Sequence, residues 1–558
     1  MSSQSVRRFK HGSNAIVGTI LLIVSLVAVY YIADRSSWRI DLTRNQRFTL
    51  ASATQNILKR LDSQVNVTVY ATSEGTPPAW TEQRNQLRDL LMEYRSLSKG
   101  KVKFTFVDPS KDPAVERKAQ ENQIRRQLMA QESAKEMSAR EGYLGFVVEH
   151  SGKTETVGVI SPQHPLEYQL TMAINKVAQV SIPKIGIITP EVNQYVGEQG
   201  RYQAIPQVLQ QEGYDIQSIA GSNYKQLLAA DAPDMTFLLE PSKLSDEQLF
   251  QLDQYVMKGG KLFIASSSFN PAQPGMGNQP NGLQPFASPV NSILDEYGLR
   301  INEDLVEDWG LGVEMMLRTT RGPVITKYPL TFRITDLNKE TSATDRLGNI
   351  AFQYASSISQ TDKAVTGTIT MLAKSSEKSL RQENLFRIDP TQLLQRPKDE
   401  NNMKAYNLLA MANGVLHSKY ADVKDEDLPI LTKDDGTTYI VERANVLSQS
   451  KEGAAVIVSG SCDAFGDELI QQSPLNALLV LNLVDTNVRH GEMISLRSKM
   501  SEVPRLRIDI PASRKDLLQW LVIGGVPVCL IVLGIGVAVY NRMRRRRLGA
   551  IYGSSMED

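Results

Sequence analysis

Two long apolar runs, one near each end of the chain, dominate its pattern of hydrophobic and polar positions. Residues 14–33 and 517–540 contain no charged side chain. About 20 such residues in a helix cross a bilayer core of roughly 30 Å. The pattern therefore predicts two transmembrane helices, the second with Gly524, Gly525 and Pro527 placed for a kink or for close packing against a partner helix.

Basic residues flank the outer end of each run and predict its orientation. Lys and Arg accumulate on the cytoplasmic side of membrane helices, and Trp suits the membrane interface. We expect both termini in the cytoplasm of a bacterium, with residues 34–516 on the outer side of its inner membrane. The residues that carry this anchoring and topology prediction are Arg7, Arg8, Lys10, Trp520, Arg542, Arg544, Arg545, Arg546 and Arg547.

Each run has an alternative interpretation. The first has the basic start and apolar stretch of a cleaved signal peptide, but it is long for one and residues 32–35 fit a cleavage site poorly. The second could be a buried core helix, which its length, Trp520, Tyr540 and its basic tail disfavour. We interpret both runs as anchors.

Between the runs, short strands alternate with helices. Period-two and period-3.6 apolar patterns predict a first module in residues 34–180. Its predicted strands are 65–70, 102–107, 143–150 and 154–160, and its predicted helices are 49–61, 82–97, 113–140 and 166–180. The last two strands form a predicted hairpin across Ser151-Gly152-Lys153.

A second module begins after Pro183, and its continuous apolar runs are typical of buried parallel strands. The predicted strands are 184–189, 216–219, 235–239, 261–265 and 454–459, and the predicted helices are 202–212, 245–257, 291–297 and 475–484. Ser245 to Gln248 fits a capping box. Segment 375–403 is charged and predicts an exposed insertion, whereas 493–510 predicts a short β-rich return.

These patterns predict a chain in nine parts. In order they are a cytoplasmic N-terminus 1–13, helix 14–33, a membrane-proximal α/β module 34–180, the first part of a second α/β module 183–300, an insertion 301–450, the completing part of that module 451–490, a return 491–516, helix 517–540 and a cytoplasmic tail 541–558.

Composition narrows the classes of function. The net charge of +1 argues against nucleic-acid binding by bulk charge. The chain has two cysteines, Cys462 and Cys529, the second inside an apolar run, so we expect no intrachain disulfide. Its five histidines are scattered without metal-ligand spacing. We predict no cofactor and no metal site.

Tests for catalytic motifs are negative or weak. Gly259-Gly260-Lys261 lacks the rest of a phosphate-binding loop, and we predict a helix C-cap there. Cys462 follows a predicted buried strand, where a nucleophile is possible, but the nearby Asp463 and Asp467 would raise its pKa. The acidic segment 303–308 could bind a cation, although a solvated face is the favoured interpretation because it lacks a ligand-loop pattern. We predict no catalytic residue.

A series of soft motifs, in order along nearly the whole chain, resembles GldG-like proteins, the auxiliary subunits of gliding-motility-type ABC transporters. The residues that carry the resemblance most clearly are Arg39, Asp41, Leu42, Thr43, Asp108, Pro109, Gly259, Gly260 and Asp463. Further matches are residues 48–50, 54–61, 90–94, 410–414, 418–420 and 482–485. Their order, more than any single motif, makes the resemblance specific.

The resemblance implies an α/β fold class whose second module is a glutamine-amidotransferase-like, flavodoxin-like parallel sheet that has lost catalysis and carries a long insertion. Residues 261–268 hold no cysteine, which agrees. It also implies two partners, an ABC-2-type multi-span permease and a separate cytoplasmic ATPase. Membrane lipids and an envelope protein or glycan are the further partners expected.

The function hypothesis is a non-catalytic auxiliary subunit of an ABC transporter, whose outer domain binds substrate or links the permease to the envelope. Two alternatives stay open at this point. One is an anchored scaffold without coupling to transport, and the other is an envelope enzyme that processes glycan or peptide.

Overall fold

The fold was analysed in a computed structural model of the chain. It describes residues 25, 49–132, 137–161, 164–179, 182–190, 200–220, 224–241, 243–269, 285–319, 322–345, 347–365, 367–390, 401–432, 436–489, 491, 493–501, 534–537, 539–540 and 542–543. The chain divides into two compact units, Met1–Ser501 and Glu502–Asp558. In the second unit, the described residues are helical and exposed.

The predicted two-span membrane anchor has to be corrected. In the part of the chain that the structure describes, no helix is long and apolar enough to cross a membrane. Of the predicted runs 14–33 and 517–540, only residue 25 and short helical pieces between 534 and 540 are described, and the rest lies outside the described residues. The topology predicted from those runs is therefore unsupported. An apolar run predicts a span only where it forms one continuous helix.

The first module is a small mixed sheet covered by helices. Its elements are α1 Ser52–Arg60, β1 Val65–Ala71, α2 Pro78–Leu97, β2 Val102–Val107, α3 Pro113–Glu121, β3 Arg126–Glu132, β4 Met137–His150, β5 Lys153–Val157 and α4 Leu166–Ala178. β1 runs parallel to β2 and antiparallel to β4, which also pairs with β3 and β5. Alternate side chains of β1 lie in a core shared with α1, α2 and α4.

The second module begins with four strands and three helices, in the order strand, helix, strand, strand, helix, strand, helix. They are β6 Lys184–Ile188, α5 Ala204–Gln211, β7 Asp215–Ser218, β8 Met235–Leu239, α6 Asp246–Met257, β9 Lys261–Ala265 and the short helix α7 Asn291–Leu294. Ser245 and Gln248 form the predicted capping box at the start of α6. Every residue of β8 is buried, as expected of a central strand with helices on both faces.

Residues 299–440 are built mainly of strands. These are β10 Leu299–Ile301, β11 Asp304–Asp308, β12 Gly312–Thr319, β13 Gly322–Ile334, β14 Asp336–Leu337, β15 Ile350–Gln353, β16 Ile358–Gln360, β17 Ile369–Lys374, β18 Ser379–Glu383, β19 Asn407–Asn413, β20 Ile430–Thr432 and β21 Thr438–Ile440. The fold then closes with β22 Ala455–Ser459, α8 Asp467–Gln472, α9 Pro474–Val488 and α10 Ile494–Ser501.

The main sheet combines both parts of the second module. Within the described ranges it has eight strands in the order β14-β17-β19-β22-β9-β8-β6-β7. The strands from β22 to β7 are parallel, whereas β19, β17 and β14 add antiparallel strands beyond β22. Apolar cores lie on the two faces of this sheet.

A buried ionic cluster joins the first module to the second. Arg497 on α10 is 1% exposed, and its guanidinium contacts Glu212 at 2.7 Å and also Asp485 on α9. Tyr168 of α4 donates a hydrogen bond to Glu212, and Tyr214 donates one to Asp485. The two acids and the arginine come from three separate segments, so this cluster fixes how the modules pack.

The described part of the first unit, apart from residue 25, begins and ends near a pair of helices in contact, α1 and α10. The backbone N–H of Ala53, in the first turn of α1, donates to the hydroxyl of Ser495 on α10 at 3.1 Å. Met493 and Leu496 lie in the same apolar core as Leu50 and Ala51. Residues 49 and 501 are the two limits of the described body. Each therefore lies at or next to one of two helices in direct contact.

Candidate functional site at the carboxyl edge of the main sheet

The parallel part of the main sheet has a point where the chain reverses its direction of winding. The parallel strands lie in the order β7-β6-β8-β9-β22. The crossover after β6 places β7 on one side of it, and the next crossover places β8 on its other side. In open parallel sheets, ligands bind beyond the carboxyl ends of the strands at such a switch point. Here the loops that follow β6, β8, β9 and β22 supply the residues at that edge.

Arg201 is the centre of a charged cluster at this edge. It follows β6, and its guanidinium donates to both carboxylate oxygens of Glu240 at 3.1 and 3.2 Å. It also donates to Asp463, which lies 262 residues further along the chain. About one third of the Arg201 side chain is exposed, whereas Glu240 and Asp463 are buried. One cation therefore holds two anions, and the cluster carries an excess negative charge when both acids are ionised.

Glu240 comes directly after β8 with a backbone φ of +52°. A residue other than glycine adopts this left-handed conformation at some cost, and such strain concentrates at functional sites. Its carboxylate also accepts a hydrogen bond from the Tyr202 hydroxyl at 2.6 Å. Burial, followed by the nearby Cys462 and Glu240, raises the pKa of Tyr202. Tyr202 therefore stays a neutral hydrogen-bond donor.

Asp463 has one carboxylate oxygen in use and one without a partner. Oδ1 accepts from Arg201, while Oδ2 is buried and has no hydrogen-bond partner among the described residues. Burial raises the pKa of Asp463 to about 6, against the opposing effect of Arg201. A buried acceptor left unpaired costs on the order of 1–3 kcal/mol. The cluster is thus incomplete as it stands, and it lacks a hydrogen-bond donor.

Cys462 is not arranged as a nucleophile. Its side chain is buried, and its sulfur lies 3.4 Å from the carbonyl oxygen of Ala265 and 3.9 Å from the hydroxyl of Ser267. Burial, with the negative charges of Glu240 and Asp463, raises the pKa of the Cys462 thiol well above its usual value. Only a thiolate attacks efficiently. The Ser267 hydroxyl donates to the carbonyl of Phe269 at 2.6 Å and so is also engaged.

Neighbouring contacts hold the cluster in place. The backbone N–H of Asp467 donates to the carbonyl of Arg201 at 2.8 Å, and its carboxylate accepts from the N–H of Ala204 at the start of α5. Gly460 ends β22 against residue 356, and a Cβ at this glycine would lie 1.9 Å from the Ser356 carbonyl oxygen. Glycine is therefore required for the close approach that leads into Asp463.

The sequence-predicted motif residues fall in different places. Asp463 lies in the cluster. Gly259, with φ of +97°, and Gly260 end α6, as the predicted C-cap requires. Asp108 accepts from the N–H groups of Ser73 and Ser110, and it forms a turn of the first module with Pro109.

Of the other predicted residues, the structure describes only Arg542. Arg542 is in one of the helical pieces of the second unit. Those outside the described residues are Arg7, Arg8, Lys10, Arg39, Asp41, Leu42, Thr43, Trp520, Arg544, Arg545, Arg546 and Arg547. Sequence reasoning missed Arg201, Tyr202 and Glu240, although Glu240 directly follows a predicted strand and Tyr202 opens a predicted helix, with Arg201 just before it.

In the acidic segment 303–308, Glu303 is exposed but Asp304, Glu307 and Asp308 are buried, so the solvated-face interpretation was wrong for these three acids. Asp304 accepts from the N–H and hydroxyl of Ser357, and Asp308 accepts from the N–H groups of Gly310 and Leu311. These acids use their oxygens within the fold. Among the described residues, no group of three or more His, Cys, Asp or Glu side chains is arranged to hold a metal ion.

The strand order and the edge cluster define the class of this module, a doubly wound flavodoxin-like sheet with an antiparallel extension. Residues 182–482, more than half of the chain, match the family described as an ABC-type uncharacterized transport system. The chain belongs to that family, the auxiliary components of ABC transport. Residues 44–149 match a domain of unknown function.

A bacterial relative matches nearly the whole chain, whereas two solved structures match little more than half of it. An uncharacterized protein of Borreliella burgdorferi is 19% identical over 554 residues, which cover 96% of this chain and 99% of the relative. Among solved structures, the mmIFT52 N-terminal domain is 12% identical, with a TM-score of 0.30, 55% of this chain covered and 96% of that one. A putative ThuA-like protein from Bacteroides uniformis is 11% identical, with a TM-score of 0.27 and coverages of 57% and 97%.

Family membership supports part of the functional hypothesis. It indicates a non-catalytic role associated with ABC transport, and it implies association with an ABC transporter and hence with a membrane. It does not distinguish GldG-like proteins from other members of the family.

Proposed function

We propose that this chain is a GldG-like auxiliary subunit that works beside an ABC-2-type permease and its separate ATPase. In this proposal, the main sheet binds the transported substrate, or a group of the envelope component that receives it, at the carboxyl-edge cluster. Family membership supports the transporter association. The observation that carries the binding role is the cluster of Arg201, Glu240 and Asp463 at the switch point, with one acceptor oxygen unused.

The charge of the cluster favours a particular kind of ligand. Two carboxylates share one guanidinium, and none of the described residues donates a hydrogen bond to Asp463 Oδ2. A group that donates hydrogen bonds, such as an amine or a hydroxyl, would fill that deficit, whereas an anion would meet the excess negative charge. The ligand end that we expect at this edge is therefore a donor, cationic or neutral.

Two properties argue for binding rather than for catalysis at this edge. The thiol of Cys462 is buried with a raised pKa, and the Ser267 hydroxyl already donates to a backbone carbonyl. The envelope-enzyme alternative loses its leading candidate nucleophile. If Cys462→Ser abolished function in cells while the protein stayed folded, that alternative would regain support.

The test is to extract the membrane fraction gently, purify the tagged chain and identify what accompanies it. We expect a multi-span permease and an ATPase with a Walker motif. Recovery of the chain without either, at expression levels near normal, would overturn the transporter role. Recovery with cell-wall enzymes instead would favour the scaffold or enzyme alternatives.

A matched pair of variants separates binding from assembly. Arg201→Met removes the centre of the cluster, and Arg333→Met removes an exposed arginine of β13 as a control. We expect both variants to retain permease and ATPase, but only Arg201→Met to lose transport-dependent function. Equal function in the two variants, with Arg201→Met folded, would contradict a binding role for the cluster.

A further inference from the structure

A two-stranded ribbon extends from the second module. β13 pairs with β15 through residues 331–334, but through residues 322–328 its described partner is β12 alone. We call residues 313–319 and 322–328 the outer ribbon. A two-stranded ribbon without a covering layer is marginally stable in water, so its surfaces are expected to gain a partner.

One face of the outer ribbon is apolar. Met316 and Ile325 lie opposite each other in the register and are 66% and 68% exposed. Positions 314 and 318 share this face with Met316, because side chains alternate along a strand. The face therefore has an apolar centre at Met316 and Ile325 with the acidic Glu314 beside it, and the sequence has a basic residue at position 318.

The pairing of Pro323 shows which backbone groups point outward. Pro323 pairs with residue 318 but has no N–H, so this pair cannot be a hydrogen-bonded one. Hydrogen-bonded and non-hydrogen-bonded pairs alternate along an antiparallel ladder. Residues 314, 316 and 318 therefore all turn their N–H and C=O groups to the outer edge of β12.

The two edges of the ribbon differ in their protection. Natural sheets block edge-to-edge pairing with proline and lysine on exposed edges. The outer edge of β13 has Pro323 and Lys327, whereas β12 has neither residue type over its whole length. Among the described strands of the ribbon, the edge of β12 is thus the one left open to another strand.

The sequence of β12 is complementary to itself in one antiparallel register. If two copies pair about a two-fold axis at residue 316, residue 314 of each lies opposite residue 318 of the other. An acidic residue then faces a basic one twice, and opposite charges across strands stabilise a pair. The outward N–H and C=O groups of residues 314, 316 and 318 all find partners in this register.

We propose that two copies of this chain associate through the outer edge of β12, forming a four-stranded sheet in the order β13-β12-β12-β13. The apolar centre then comprises Met316 and Ile325 from each copy. Such an isologous contact closes on itself and produces a dimer rather than a fibre. This inference does not depend on the proposed transport role.

A bilayer surface is the rival occupant of the ribbon. It would cover Met316 and Ile325, but it would leave the outward N–H and C=O groups of β12 without partners. Open sheet edges do not occur in the hydrocarbon region of a membrane, because each unsatisfied group is costly there. The free edge therefore favours a strand over a lipid surface.

Cysteine cross-linking of the full-length chain tests the register. Hydrogen-bonded opposite residues have Cα atoms about 5.5 Å apart, within the range of a disulfide. We expect Met316→Cys to form a disulfide-linked dimer on mild oxidation. Val324→Cys is the matched control, since Val324 is also exposed on the ribbon but would lie about 14 Å from its copy, three strand spacings away.

Charge reversal provides an independent measurement by analytical ultracentrifugation. We expect Glu314→Arg and Arg318→Glu each to weaken dimerisation by about tenfold or more, and the double exchange to restore it. A chain that stays monomeric at all concentrations, with Met316→Cys cross-linking no more than the wild type and Val324→Cys, would overturn the proposal. A second result would also overturn the proposal. In it, Met316→Lys would bind vesicles of anionic phospholipid less than the wild type does, while its oligomeric state would be unchanged.

Discussion

Asp463 and Arg201 show how a few residues set the properties of the sheet edge. The single charge of Arg201 is shared between Glu240 and Asp463, and Asp463 stays buried with one oxygen that has no partner among the described residues. Burial therefore makes Asp463 bind a proton more readily in the folded chain than in the unfolded one, and its pKa is raised to about 6. This has a consequence for stability that can be measured.

The sign of the effect follows from proton linkage. Between about pH 4 and pH 6 the folded chain holds a proton on Asp463 that the unfolded chain has lost, so this residue makes stability fall as the pH rises through that window. Above about pH 6 both states are ionised and the contribution is constant. The side chain of Asp463→Asn stays neutral at every pH. We therefore expect this variant to show a smaller fall in melting temperature between about pH 4.5 and about pH 7 than the wild type.

The control is Asp425→Asn, which replaces an aspartate whose side chain is 79% exposed. It should leave the pH dependence of the melting temperature as in the wild type. If Asp463→Asn and Asp425→Asn gave the same pH profile, Asp463 would not be the group that titrates in this window.

Sequence could identify part of this site. Asp463 stands out as a motif residue after a buried strand, and a position after such a strand is where parallel sheets carry function. Arg201 and Glu240 could not be joined to it, because they are separated from Asp463 by 262 and 223 residues and meet it only through the strand order. The sequence around a single charged residue after a strand does not indicate which distant residue it will contact.

At the scale of elements, the end of β22 depends on a glycine. We expect Gly460→Ala to destabilise the chain by about 1–3 kcal/mol or more, because the new methyl group overlaps the Ser356 carbonyl and forces the backbone apart. The melting temperature measures this. Gly348→Ala is the matched control, since a Cβ there meets no atom within 4 Å. Equal melting temperatures for the two variants would contradict the close approach.

The accuracy of the predicted elements follows the strength of their apolar pattern. The strands predicted at 102–107, 235–239 and 261–265 are confirmed with the same bounds. The first alternates apolar and polar residues, and the other two are continuous runs that are almost entirely buried.

Two predicted elements were wrong, and both lack such a pattern. The helix predicted over 113–140 ends at Glu121, and the chain continues into β3 and β4. Their mostly polar residues alternate too weakly to indicate strands, and strand pairing decides the structure there. Within the predicted β-rich return, residues 494–501 are helical, because they pack against α1.

For the whole molecule, Arg497 is the residue that joins the modules. We expect Arg497→Met to cost about 3–5 kcal/mol, since it leaves the buried carboxylates of Glu212 and Asp485 unpaired. The melting temperature should fall, and limited proteolysis should cut between the modules, near residues 179–184, at lower protease concentration.

A triple variant distinguishes lost charge pairing from lost packing. Arg497→Met combined with Glu212→Gln and Asp485→Asn removes every charge of the trio but keeps acceptors for Tyr168 and Tyr214. We expect it to recover most of the lost stability. A triple variant as unstable as the single one would show that the charges do not determine the joining of the modules.

The sequence did not predict that residues 301–450 contribute strands to the main sheet, and this is the largest difference between prediction and structure. Their pattern predicts an insertion, yet β14, β17 and β19 extend the main sheet as antiparallel strands. Pairing between strands that are distant in sequence leaves no local periodicity to detect. The boundaries predicted for the individual domains stay predictions.

The contact between α1 and α10 has a consequence for how such a chain can evolve. A body whose first and last helices touch can be inserted into a loop of another protein without being opened, since host and guest meet at one narrow neck. The same gene segment could thus serve either as an independent chain or as an insert within a larger one, with its interior unchanged. Mechanical tension across that neck would separate two short helices before it reached the sheets.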